Sequence, residues 1–367
     1  MKKEILLLSL FYVLLLSSCK DQNESENPII KTPETKKVVF QVDERIEFLR
    51  IVFNIAVEDF IDHDMLPCAT EYSKRVSQHF DPFKNHTLIK YVNELPNIAI
   101  DFPTIGLMFT DCKSFQFEKT YTNELSNFGI SKNELDSLQP LLLDFYKTSD
   151  FENFFATNDI YYKKALEKIE KQVNEEKLFD YITDFYHSNE KDLQMIVFVE
   201  LTNNANNKAI SFFDNYNTKK RATILGNMCD IPEEPTSDNE ILELDNTKRS
   251  ILYHETSHLF TDKLLNKYIG AFSQYESLCE DCSEIQIKDK VDHLIVFPLQ
   301  TLLSYRKYGK DDGHNFYLNE CKDVRRDIYL KLSEYQPENK TPFEQTYAQC
   351  IELIKKAALK KQSLLKK

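Results

Sequence analysis

The chain has 367 residues, 42% of them hydrophobic, and its 26 Phe and 19 Tyr are enough for a large core. A formal charge of −13 excludes the basic surface that non-specific nucleic-acid binding needs, so no nucleic-acid partner is expected. By the same average, the surface should repel anionic lipid headgroups. Six glycines and no tryptophan disfavour a fold of tight turns and favour one rich in helix.

Residues 1–18 read as an export signal. Lys2 and Lys3 precede an apolar run, Ile5–Leu16, shorter than the about 17–25 residues that span a bilayer. The run closes on Leu16-Ser17-Ser18-Cys19, which resembles the lipobox of bacterial lipoproteins. In that class the signal is cut before the cysteine, so the resemblance implies lipidation of Cys19. It also implies a place in the cell envelope. Lys20, not Asp, follows the cysteine, which suggests an outer-membrane lipoprotein facing the periplasm or the cell surface. Cleavage removes Lys2, Lys3 and Glu4 and leaves −14, so the lipid and not a basic patch is expected to hold the protein on its membrane.

Residues 20–37 are polar and bury too little surface to fold, so 19–40 is expected to be the lipidated cysteine and a tether, with globular sequence starting near Val38. A single domain is expected over 41–360. Ile46, Leu49, Val52, Phe53, Ala56 and Phe60 recur at helical spacing and predict a helix over 42–60. Further helices are expected over 70–94, 132–147, 160–175 and 175–187. At 192–201 the character changes, and the β-branched Ile196–Val199 reads as a strand. Strands over 208–213 and 221–227 follow, joined as a hairpin. After the polar stretch 230–240 comes a helix through 249–264, capped by Asp245 or Asn246, with Gly270 past its end. Asp292 opens a strongly apolar helical run. The last residues, 355–367, read as a frayed basic tail.

Seven cysteines follow Cys19. An odd number leaves at least one thiol unpaired within the chain. Cys279 and Cys282 form a C-x-x-C, but a four-thiolate zinc site needs a second such pair, and none exists. Buried or locally bridged cysteines are the expectation.

The helix after the sheet carries His254-Glu255-Thr256-Ser257-His258. Residues four apart share a helix face, so both imidazoles can aim at one ion. Glu255 lies beside them, within reach of a metal-bound water as general base. Asp262, one turn beyond His258, is either a partner for its ring or an exposed helix acid. A catalytic zinc needs a third protein ligand and an open fourth position. Asp292 is the first candidate, Glu276 the second, and Glu280 lies at similar spacing. Tyr275, His293, Tyr305 and Arg306 are candidates for the oxyanion stabiliser.

The H-E-x-x-H helix, placed after strands in an exported chain, resembles zincin metallopeptidases of gluzincin type. That resemblance implies a helix-rich α+β, zincin-like domain with a small sheet preceding the active-site helix. It also implies a zinc cofactor and a protein or peptide substrate held along an edge strand. The gluzincin N-E-x-x-S/D pattern is not spelled, and the H-x-x-G-x-x-H of metzincins is missing. Arg45, Glu47 and Leu49, then Phe80, Lys84 and His86, then the motif and "DHLIVF" also resemble a Bacteroidetes lipoprotein family classed as a domain of unknown function. The likeness covers roughly residues 40–310. In that family a glutamate precedes the last block, and Asp292 stands in its place. Arg45 and Glu47 are expected as a structural ion pair, His79 and His86 as structural histidines. The leading reading is a lipid-anchored zinc metallopeptidase. The alternative is a non-catalytic binding or assembly lipoprotein on a degenerate peptidase scaffold.

Overall fold

A computed structural model describes residues 38–58, 67–96, 98–118, 125, 128–187, 195–204, 207–213, 219–229, 240–275, 278, 286–309, 321–339 and 341–365. The signal, the lipobox, most of the tether, Glu276, Glu280, Cys279 and Cys282 lie outside them. Residues 37–367 form one compact unit. Among the described residues, no helix is long and apolar enough to cross a membrane.

The sheet has four strands: β1 Val38–Gln41, β2 Met195–Glu200, β3 Lys208–Phe213 and β4 Lys219–Gly226. Their order is β1-β2-β4-β3. β1 and β4 flank β2 in parallel, with Val38 and Arg221 both opposite Met195. β3 runs antiparallel to β4, pairing Ala209 with Thr223, and forms an edge. β2 is apolar and buried along almost its whole length, as a central parallel strand covered on both faces should be. The expected hairpin is present. The tether does not extend to residue 40, because Val38 and Phe40 are buried in the sheet. Four residues are too few to show a strand's alternation in sequence.

Between β1 and β2 run α1 Glu44–Ala56, α2 Glu71–Phe80, α3 Thr87–Asn93, α4 Lys132–Thr148, α5 Phe151–Thr157, α6 Asp159–Glu175 and α7 Leu178–Phe185. Asp43 caps α1 by accepting the amides of Arg45 and Ile46. The helix expected over 70–94 breaks at Asp81-Pro82-Phe83 into a 3-10 turn, since proline cannot donate the next helical bond. Gly106 lies against the carbonyl of Arg45, where a Cβ would come within 2.8 Å of backbone, so α1 and the turn Phe102–Met108 approach closely only through that glycine.

Arg45 and Glu47 do not pair. The Arg45 guanidinium holds Asp43 at 2.8 Å, while Glu47 accepts from the hydroxyls of Tyr72 at 2.9 Å and Thr202 at 3.2 Å. Two residues apart on a helix, the side chains face different ways. A fully buried ion pair is formed instead by Arg50 with Glu200, 3.0 Å apart. His79 and His86 are structural: His79 bonds the Ser149 carbonyl and His86 caps α3.

After the sheet come α8 Asn246–Tyr268, α9 Ile287–Tyr308, α10 Lys322–Ser333 and α11 Phe343–Leu365. The expected frayed tail is mostly the end of α11, anchored by the buried Ile354 and Ala358. α8 packs on β3, β4 and α9, and α9 on α10. Cys68 and Cys229, 161 residues apart, form a disulfide that ties the segment before α2 to the end of the sheet. It is not a local bridge. Cys321 is disulfide-bonded too, and Cys112 and Cys350 are buried thiols.

A histidine cluster on two packed helices

Helix α8 starts where Asp245 accepts the Lys248 amide and runs for 23 residues. Leu252–Ser257 are buried without a break, so the helix is covered on every side there, and Thr261 and Leu265 are buried beyond. Leu259, Phe260 and Leu264 are only partly covered. The motif therefore lies in the covered stretch of α8, between the sheet and α9, with His258 partly covered.

The helical spacing brings the rings of His254 and His258 to 4.7 Å between centroids. Their Nε2 atoms stand 3.0 Å apart. α9 brings a third ring, His293, at 5.3 Å from His254 and 5.2 Å from His258. One ligand atom from each of the three lies within 4.8 Å of the other two. Among the described residues this is the set that can hold a metal ion. Phe297, one turn beyond His293, packs on His254 and His293 with centroids at 4.6 and 5.2 Å. The Arg325 guanidinium of α10 lies 4.7 Å from the Phe297 ring.

Asp292 is not in this set. Its Oδ2 accepts from Nδ1 of His258 at 2.8 Å, on the side of the ring away from the cluster. Consecutive positions on a helix diverge by about 100°, so when His293 aims into the cluster its neighbour Asp292 is turned towards the back of His258. Thr261 lies 3.5 Å from the other carboxylate oxygen. Asp262 does not hold His258: its carboxylate is exposed and accepts from Asn266. Of its two readings Asp262 is thus the exposed helix acid, and the carboxylate that holds His258 comes from α9. Gln300, also on α9, accepts from Nδ1 of His254 at 2.9 Å, and its own amide donates to Ser250.

These two acceptors fix both tautomers. With Nδ1 of each ring donating, the Nε2 of neutral His254 carries a lone pair, and the Nε2 of His258 faces it at 3.0 Å. Two such nitrogens at that distance need a positive charge between them, either the proton of a charged His258 or a metal ion. Two imidazole nitrogens on a tetrahedral zinc would stand about 3.3 Å apart, given Zn–N bonds of about 2.0–2.1 Å, close to the separation seen. Burial, then the neighbouring His258 and His293, hold His254 well below the usual imidazole range, so it is neutral as a ligand must be. Burial alone would also depress His258, but the carboxylates around it, Asp292 first and then Glu255 and Asp262, together more than offset it and leave that ring above its ordinary value.

Glu255 is 8% exposed. It accepts the backbone N–H of Ala209 in edge strand β3. Burial raises its pKa, opposed by His258 and His293. Of the expected oxyanion stabilisers, His293 belongs to the cluster. Tyr305 is 53% exposed. Arg306 is engaged by the Ser333 and Tyr335 carbonyls, and Tyr275 packs on Phe272. Gln300 carried no signal in the sequence. His293 carried one: a histidine beside an acid at the start of an apolar helix. Comparison of the chain with protein-family models, with curated proteins and with solved structures finds no match.

Proposed function

We propose that this chain is a zinc-dependent metallopeptidase with a zincin-like fold, carried on a membrane as a lipoprotein. The observation that carries the reading is the convergence of His254, His258 and His293, with Glu255 beside them on the same helix. Three imidazoles suit zinc and leave a fourth position for water. Bound zinc would polarise a carbonyl and acidify that water.

The chain's own residues supply the rest. Glu255 takes the water's proton and passes it to the leaving amine. Burial prepares it for this, since a carboxylate raised from its usual range holds a transferred proton better. Asp292 and Gln300 keep the two α8 imidazoles oriented. β3 is an edge strand whose Ala209 amide already touches Glu255. An extended peptide added along that edge would pass the cluster, which favours a peptide substrate. The Cys68–Cys229 disulfide favours an oxidising compartment, in keeping with export and with Cys19 as the lipidated residue.

The test is turnover of a broad peptide library by the zinc-loaded protein. Glu255→Gln is expected to retain metal and lose about 10²–10⁴-fold in rate. Wild type that loads zinc but cleaves nothing would turn the reading towards the non-catalytic alternative.

A further inference from the structure

The charge of this chain is unevenly distributed. Residues 355–367 hold Lys355, Lys356, Lys360, Lys361, Lys366 and Lys367 and no acid. Setting aside residues 1–18, the remainder has 38 basic and 58 acidic side chains, or −20 against +6 in these thirteen residues. The average of −13 conceals that contrast.

The structure gives the segment a shape. α11 continues to Leu365, and Ile351, Ile354 and Ala358 bury one side of it. On the outer side, Lys356, Leu359 and Lys360 are all exposed. They fall at i, i+3 and i+4, hence on one face. Leu359 is 55% exposed, one of four large apolar side chains so open among the described residues. Cations at a helix C-terminus complement its dipole, but that effect is confined to the last turn, and the lysines span about three turns. It also gives no reason for a leucine between them.

We infer that the outer face of the α11 C-terminal end, Lys356, Leu359 and Lys360, is a docking surface for anionic phospholipid headgroups. Lysines near such a surface each contribute about 1 kcal/mol, and the attraction fades within a Debye length, so a local patch acts despite the acidic remainder. Leu359 can enter the headgroup boundary between them. The occupant follows from charge complementarity and from the expected lipid anchor, which would already keep the chain at a membrane. The other end of α11 packs Tyr347 into the core. Tyr347 lies about 20 Å along the helix from Lys360, so contact there would orient the whole domain relative to the bilayer. The inference does not depend on the peptidase reading.

The experiment is co-sedimentation of the chain from Lys20 onward, which keeps the whole compact unit but no lipid. Vesicles of phosphatidylcholine are compared with vesicles containing about a third phosphatidylglycerol. The bound fraction is expected to rise at least several-fold on the anionic vesicles and to fall with added salt. Lys356→Glu with Lys360→Glu should abolish the rise, and Leu359→Ser should weaken it, with unchanged unfolding midpoints because all three side chains are exposed. Equal binding to both vesicle types, or a rise that survives the double charge reversal, would overturn the inference.

Discussion

Gln300 and Asp292 each accept one Nδ1–H, and by doing so they turn two Nε2 atoms towards a common point. Asp292→Asn should therefore weaken zinc binding by about 10–100-fold without abolishing it, as read by competition with a chelator. Complete loss of metal in that variant would make Asp292 a ligand after all. A second prediction concerns Glu47, which is fully buried and raised to about 7, first by burial. Its folded value exceeds the ordinary 4.5, so the native state holds the proton more tightly than the unfolded chain does. The contribution of Glu47 to stability therefore falls as pH rises from about 4.5 to about 7, by roughly 3 kcal/mol, and is constant above. Glu47→Gln should remove that slope in urea unfolding followed across this range. An unchanged slope would place its origin elsewhere.

At the level of elements, much was legible. The period of α4 and α6 was present in the letters, because each buries one face and exposes the other, and α1 and the hairpin β3–β4 were legible too, although α1 is buried without a break over 46–53 and β4 over 222–226. So was the α8 pair of histidines, since four residues on a helix is a fixed geometry. The contribution of α9 was not legible. Asp292 and His293 are adjacent, and only the packing of α9 on α8 decides which of them enters the cluster. β1 escaped because its pairing with β2 spans more than 150 residues. The α8 cap allows a simple check. Asp245→Ala leaves the Lys248 amide without its acceptor and should cost about 1 kcal/mol in urea unfolding. No measurable change would mean that packing alone fixes the start of the helix.

Taken whole, the molecule is a helix-rich unit in which one small mixed sheet backs the motif helix, and a disulfide closes a loop of 161 residues. By loop entropy, that crosslink contributes about 5 kcal/mol. Cys68→Ser with Cys229→Ser should lower the unfolding midpoint substantially, and reductant should then leave the midpoint of that variant much less affected than that of the wild type. The claim on which the functional reading stands is that His254, His258 and His293 hold one metal ion. Its most direct test is zinc bound per chain, measured by elemental analysis after dialysis, for wild type, His293→Ala and Asp292→Asn. The account predicts about one zinc in wild type, none in His293→Ala, and zinc still present at reduced affinity in Asp292→Asn. No zinc in wild type, or full zinc in His293→Ala with loss in Asp292→Asn, would contradict it.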